Sequence, residues 1–259
     1  MLKQESIEQS YATLYMEFPK DFVESKDVLL GAAARLGHQS EGDLFNKHMQ
    51  ELIDAVVSEE KRDFIASNEF HRHMQICLKQ GYPLVDIFRI LQVTALTNSI
   101  IKIEALMEPD EFFERLQLDQ HEQTVSFLMY LNNWLCQIVG MRSLRQAPGD
   151  YVKFLTKVFD KKDTQLTQFA MRCLFNACRA IPAVQMDENY LGLVVSTFVN
   201  AAAMQQDPQG AKIFNMACGV IGRTLITLQA EDAKKWEEFK ETVMSMNVQI
   251  TSDKGLCTK

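Results

Sequence analysis

The chain has few of the residues that make turns. It contains 11 glycines and 6 prolines among 259 residues. Few turn-formers mean few and short connections, which suits helices and excludes a sandwich or barrel of many short strands. No alternation of apolar and polar residues continues long enough to predict a strand. We therefore predict an all-α protein of about eleven helices, among them one that stops at Gly81 and a longer one that ends near Gly140.

Motifs for local catalytic chemistry are also lacking. There is no glycine-rich phosphate loop, no His-Glu-x-x-His and no Gly-x-Ser-x-Gly. Glu111 and Glu114 follow Pro109, where acidic residues of a first helical turn are expected. We predict no catalytic residues and no enzyme activity. An all-helical enzyme with dispersed acids and bases is the alternative, because such a site needs no local motif.

Paired cysteines and long apolar runs are missing as well. None of the six cysteines forms a Cys-x-x-Cys pair, and five lie within helical patterns, mostly on or beside the apolar stripe. This predicts buried free thiols in a reducing compartment. The first residues lack the apolar core of a signal peptide. The most apolar stretch, residues 191–204, is too short and too polar to span a bilayer. A cytoplasmic protein without membrane contact is expected, with the nucleus left open.

One short segment contains residue types that can bind a metal ion. His73 and Cys77 are four residues apart and could share a zinc ion on one helix face, whereas His71 faces another direction. No second cluster supplies the remaining ligands, so a buried thiol beside surface histidines is predicted. We expect no metal and no cofactor.

Aspartates recur in the second half of the chain at intervals of 20 to 25 residues: Asp163, Asp187, Asp207 and Asp232. Each stands where an amphipathic pattern begins and can accept from the free N–H groups of a first turn. Two intervals together match the roughly 40–47 residue period of helical-hairpin repeats. We expect the Asp163 and Asp187 helices to form one hairpin and the Asp207 and Asp232 helices the next.

This rhythm predicts a right-handed superhelix of stacked helical hairpins, a single α-solenoid over residues 1–259. A subdivision is also considered, with N-terminal helices in 1–141, C-terminal repeats in 150–246 and a flexible tail in 247–259. The linker candidate between the first two is the stretch 142–149, which contains Pro148 and Gly149.

Two segments carry a resemblance to a known family. Residues 171–177, Met-Arg-Cys-Leu-Phe-Asn-Ala, resemble the third helix of an armadillo repeat. Residues 196–202, Ser-Thr-Phe-Val-Asn-Ala-Ala, have a similar pattern. Resemblance to armadillo- or HEAT-like proteins implies a groove in which an asparagine bonds the backbone of an extended peptide. Asn176 and Asn200 are one helix apart, so only one can line that groove. We favour Asn176, because arginines share its helix face.

A second resemblance involves residues 83–89, Pro-Leu-Val-Asp-Ile-Phe-Arg, followed by the segments around Arg172 and Thr197. Together they look like the PUL-type armadillo domain. That resemblance implies an adaptor of the ubiquitin-selective AAA unfoldase. The gaps between the three segments depart from that family.

Charge is uneven along the chain. Residues 141–180 carry eight basic and three acidic side chains, whereas residues 104–122 carry seven acidic and one basic. Arg172, Asn176 and Arg179 fall on one helix face and are our predicted binding row for an acidic peptide. The alternative is an ordinary solvated surface.

Nucleic acid is not an expected partner. The net charge is −7, and the aromatic residues that could stack bases within the basic stretch are limited to Tyr151, Phe154 and Phe159.

The first helix carries many apolar residues for the end of a solenoid: Tyr11, Leu14, Tyr15, Met16 and Phe18. This allows self-association or a role as an assembly subunit. The leading hypothesis is a non-enzymatic adaptor or scaffold that binds a protein or peptide on a curved helical surface.

Overall fold

The computed structural model describes residues 24–37, 47, 49–51, 53, 68–95, 109–136, 138–180, 188–205 and 208–245. Helices are the only regular secondary structure in these residues, so the all-α prediction is confirmed for them. The predicted N-terminal helix, the tail 247–259, Asp187 and Asp207 lie outside the described residues.

Ten α-helices and one 3₁₀ helix have defined bounds, and residues 47, 49–51 and 53 are helical as well. In chain order the elements are α1 (Lys26–Gly37), α2 (Asn68–Lys79), α3 (Leu84–Thr94), the 3₁₀ helix (Pro109–Phe112), α4 (His121–Leu135), α5 (Ile138–Gln146), α6 (Pro148–Phe159), α7 (Thr164–Ala180), α8 (Glu188–Met204), α9 (Pro208–Glu231) and α10 (Ala233–Ser245).

The described residues form two compact units, one from 24 to 143 and one from 144 to 245. The boundary between Ser143 and Leu144 falls inside the predicted linker stretch 142–149. That stretch is helical and not an extended linker, because α5 continues to Gln146 and α6 begins at Pro148. Proline fits the first turn of α6, where its missing N–H has no helical partner to lose.

In the first unit α3 packs against α1, α2 and α4. Residues 86–94 of α3 and 123–135 of α4 are buried on all sides, as expected for helices at the centre of a core. Phe88 is the hub of an aromatic cluster, with ring centroids 5.1 Å from Phe112 and 4.9 Å from Phe127. Edge-on packing of this kind adds about 0.5–1.5 kcal/mol per pair beyond burial. The short 3₁₀ helix thereby closes the α3–α4 pair.

Gly81 ends α2, as the sequence predicts. Its φ of 73° is left-handed, and the N–H groups of Gly81 and Tyr82 donate to the carbonyls of Leu78 and Cys77 at 3.3 and 3.1 Å. This is the Schellman arrangement, in which a residue without Cβ reverses the chain at low cost. The predicted continuous helix ending near Gly140 is wrong, because α4 ends at Leu135 and α5 starts at Ile138.

Gly140 lies where a side chain would collide with the preceding helix. A Cβ added there would stand 2.0 Å from the backbone oxygen of Trp134 and 2.6 Å from its indole ring. The absence of a side chain is therefore what lets α5 turn back over the end of α4.

The second unit is organised around α9, which packs against α7, α8 and α10. Helix α6 packs against α7 and α8. The predicted hairpin of α7 with α8 is wrong, since α7 makes its main contacts with α6 and α9. The apolar stripe on α7 is wide enough to serve two neighbours, so periodicity alone did not indicate which helix is its partner.

Two of the four aspartates cap their helices as predicted. The carboxylate of Asp163 accepts from the N–H of Leu166 at 2.8 Å, and Asp232 accepts from Lys235 at 3.1 Å. Each bond satisfies a first-turn donor and contributes about 1 kcal/mol.

By length and composition, α9 is the single helix in the described part of the chain that could cross a membrane. More than half of its most apolar window is buried inside the protein. Its position among α7, α8 and α10 explains that composition, because a helix with neighbours on several sides is apolar all round.

Two glycine-to-alanine changes should have opposite effects. We expect Gly140→Ala to lower the free energy of unfolding by about 1–3 kcal/mol, because the new methyl group overlaps Trp134. Gly192→Ala, in the middle of α8 with nothing within 4 Å of the new atom, should raise it by about 0.5–1 kcal/mol. Urea unfolding followed by circular dichroism measures both, and equal effects of the two changes would contradict this account.

Candidate functional site

A groove with a volume of about 1040 Å³ runs between α6 and α8 in the second unit. That size is at the upper end of the range for small-molecule pockets, about 300–1,000 Å³. Its lining residues are Gly149, Val152, Lys153, Thr156, Lys157, Phe159, Asp160, Lys162, Thr167, Gly192, Leu193, Ser196, Thr197, Asn200, Ala203 and Met204.

Helical spacing explains why these residues meet. From α6 the lining residues recur at three- and four-residue steps from Gly149 to Asp160, and from α8 they recur likewise from Gly192 to Ala203. Two single faces of adjacent helices therefore form the groove. Gly192 widens it, because the space beside its Cα is open.

The lining divides into buried and exposed residues. Val152, Thr167, Leu193 and Thr197 are buried, and the hydroxyl of Thr197 is used within α8, donating to the carbonyl of Leu193 at 2.6 Å. Exposed polar side chains come from both helices: Lys153, Thr156 and Lys157 from α6, and Ser196 and Asn200 from α8. The surface of the groove is mostly apolar, and these few polar groups are placed along it, as in ligand-binding grooves in general.

The groove is positively charged. Lys153, Lys157 and Lys162 line it, against one acidic side chain, Asp160. Lys153 also lies 3.7 Å from Asp150, in a pair whose two side chains are 77% and 60% exposed. Such an exposed pair contributes little and leaves the lysine available to another anion.

Lys162 has an unusual backbone. Its φ of 54° makes it the one residue other than glycine with positive φ in the described part of the chain. The left-handed region costs a residue with a Cβ about 1–2 kcal/mol. This conformation reverses the chain after α6, with Lys162 N–H donating to the Phe159 carbonyl at 3.0 Å, and delivers Asp163 to the start of α7.

The structure does not present the predicted binding row to solvent. Arg172 and Asn176 are only 4% and 3% exposed, and the side chain of Arg179 lies outside the described residues. The Arg172 guanidinium lies 5.7 Å from the centre of the Phe169 ring. The apolar stripe of α7 is wide, and the face that carries Arg172 and Asn176 is buried as well. The prediction that these two residues form an exposed row is therefore wrong.

Asn200, the asparagine that sequence reasoning ranked second, is exposed and lines the groove. Its own helix lacks basic residues nearby, and the lysines come from α6 and from the turn after it. The signal in the sequence was the basic stretch 141–180, which reaches the groove through Lys153, Lys157 and Lys162. The aromatic residues Tyr151 and Phe154 are buried and form no stacking platform.

His73 and Cys77 meet at the end of another helix. His73 Nε2 lies 2.8 Å from the carbonyl oxygen of Leu36, and the Cys77 thiol donates to the same oxygen at 3.8 Å. Both side chains therefore contact a carbonyl group at the C-terminal end of α1, where carbonyls have no hydrogen-bond partner within the helix. In the described residues no three His, Cys, Asp or Glu side chains come together as metal ligands.

Sequence reasoning missed a buried ionic network in the first unit. Arg89 of α3, with 9% of its side chain exposed, donates from Nε to Glu24 at 2.7 Å and from Nη2 to Glu122. The pKa of Arg89 is raised: burial alone would lower it, and the two glutamates more than offset that effect. The carboxylate of Asp86, one turn before Arg89, accepts hydrogen bonds from Nη2 and Nε of Arg35 at 2.7 and 2.9 Å.

Glu24 ties the segment before α1 to this network. Its carboxylate also accepts from Gln92 and from Ser126, each at 3.2 Å, and its own N–H donates to the Gln92 side chain at 3.4 Å. Spacing gave no signal for these contacts, because they join residues 65 to 102 positions apart. The network satisfies buried charges, and nothing in its geometry offers a substrate space.

In comparisons with protein families, with curated proteins and with solved structures, no match to this chain was found.

Removing Arg89 should destabilise the first unit strongly. Arg89→Met keeps the length of the stem but removes the cation that Glu24 and Glu122 share and that also lies 3.5 Å from Asp86. We expect a loss of about 3 kcal/mol in the free energy of unfolding. The control, Lys234→Met, breaks the exposed pair of Lys234 with Glu238, 3.6 Å apart, and should change stability by less than about 1 kcal/mol. Similar losses for both would contradict a buried network.

The thiols should differ in reactivity. Burial raises the pKa of Cys178 to about 11, and its sulfur contacts the hydroxyl of Tyr190, whereas Cys136 is only half-buried. At pH 8.5 we expect an alkylating reagent to modify Cys136 first and Cys178 only after unfolding, because the thiolate is the nucleophile. Peptide mapping by mass spectrometry measures this, with denatured protein as the control. Equal native rates would be inconsistent with the buried site.

The same shift predicts a pH dependence. The folded pKa of Cys178 lies above its ordinary value of 9.0, so the stability linked to this thiol is complete below pH 9 and declines as pH rises towards 11.

Proposed function

We propose that the protein is a non-enzymatic interaction module that binds a segment of a partner protein in the α6–α8 groove. One observation carries the proposal: exposed polar side chains from two adjacent helices, with Asn200 among them, line the same groove. An exposed amide can donate to and accept from a peptide backbone, which fits an extended segment.

The packing of the second unit supports an armadillo- or HEAT-like arrangement of this module. Helices next to each other in sequence pack as pairs, α6 with α7 and α8 with α9, and helices two apart also pack, α6 on α8 and α7 on α9. Stacked pairs in two layers give those contacts. We propose such a stack here as part of a right-handed superhelical solenoid. Of the two hairpins that the aspartates suggested, α9 and α10 do pack together, whereas α7 makes its main contacts with α6 and α9.

For the cellular role, we propose an adaptor or scaffold in the cytoplasm. A more specific form of this proposal is an adaptor with a PUL-type armadillo domain. Free cysteines at five described positions support a reducing compartment. Self-association through the first helix stays a prediction, because that helix lies outside the described residues.

Filling the groove tests the proposal. Gly192→Trp projects an indole into the open space beside α8 and should abolish partner binding without unfolding the protein. A random peptide library displayed on phage is selected on the wild-type protein, and each selected peptide is then measured against both proteins. We expect affinity to fall at least tenfold in the variant, because a filled groove cannot admit a peptide.

Ala230→Trp is the matched control, since it adds the same ring at an exposed position of α9 that does not line the groove. Selected peptides should bind this variant as they bind the wild type. Peptides that bind Gly192→Trp equally well, or a library that yields none, would refute the groove as the binding site.

A further inference from the structure

We infer that the segment bound in the groove is an acidic peptide in extended conformation, with carboxylates at alternate positions, and that Lys162 is a residue that selects it. This inference rests on the proposed function and specifies the chemistry of its partner. It follows from the charge of the lining, the spacing of the lysines and the conformation of Lys162.

Charge complementarity favours an acidic occupant. Three of the four ionisable side chains that line the groove are lysines, although the whole chain carries a net charge of −7. A positive groove on a negative protein attracts an acidic segment locally and repels a basic one. Lysine ammonium groups provide point charges on flexible stems, which suit carboxylates presented at one edge of a peptide.

Spacing favours alternate positions. Lys153 and Lys157 are four residues apart on α6, which separates them by about 6 Å along the helix axis. In an extended peptide, alternate residues point to the same side and are about 6.6 Å apart. Carboxylates at every second position can therefore meet successive lysines, and the residues between them face α8, where Asn200 and Ser196 are exposed.

The backbone of Lys162 is the second observation. Glycine usually occupies the left-handed position after a helix, because it carries no steric cost there. Here a lysine occupies it, at the edge of the groove and with an exposed side chain. A residue kept in a strained conformation at a binding surface points to a requirement for its side chain.

The probe is a fluorescent peptide of alternating glutamate and threonine, eight residues long, measured by anisotropy with the full chain. We expect binding that weakens as salt increases and that falls about two- to fivefold with Lys162→Gln, the effect of one exposed ion pair. Lys161→Gln removes the same charge one residue earlier, outside the groove lining, and should leave the affinity unchanged. Lys162→Gly should weaken binding in the same way while its melting temperature stays equal or rises.

Three further ligands separate the outcomes: a peptide with the same glutamates in one block, single-stranded DNA and inorganic phosphate. Weaker binding of the block peptide supports the alternate spacing. Equal binding of DNA or phosphate, or equal effects of Lys162→Gln and Lys161→Gln, would overturn the inference. A different result would separate this inference from the proposed function. If neutral library peptides bind and lose affinity with Gly192→Trp, while the acidic peptide does not bind, the acidic partner is wrong and the proposed function still stands.

Discussion

The tight turn between α6 and α7 is the constraint on which the groove depends. Lys162 reverses the chain in a left-handed conformation, and the next residue, Asp163, caps α7. These two residues fix how α6 lies on α7, and α7 in turn packs on α9, which holds α8. The separation of α6 and α8 is thus set by this turn, by the direct contact of the two helices and by α9, which packs on both α7 and α8. A charged side chain at the turn then becomes part of the surface that the turn creates.

The two units are stabilised in different ways. The first combines an aromatic cluster around Phe88 with an ionic network in which Arg89 and Asp86 are almost fully buried, whereas Arg35 and Glu122 are more than half exposed. The core of the second is mostly apolar, and its polar groups include the hydroxyl and thiol groups of Cys178, Tyr190 and Thr224 together with the buried side chains of Arg172 and Asn176.

Periodicity and capping signals predict most of the helices, but they fail at the break between α4 and α5 and where three-dimensional neighbours decide the outcome. Gly81, Asp163 and Asp232 act on their own turns, so their roles could be predicted. Arg172 and Asn176 are buried because other elements pack on their face of α7. The sequence of one helix does not indicate which elements pack on it, so this burial could not be predicted. Asn200 was ranked second because its own helix has no arginines, yet the lysines beside it come from a different helix. The Glu24–Arg89 contact joins distant positions that no local pattern connects.

The two tryptophans of the chain lie in different units. Trp134 is completely buried beside Gly140 in the first, whereas Trp236 is partly exposed in the second, with the Lys240 ammonium 4.0 Å from the centre of its ring. The indole in the apolar core should emit at shorter wavelength than the one beside water and a cation. The protein therefore carries one intrinsic fluorophore for each unit, and the spectrum can separate the melting of one from the melting of the other without any added label.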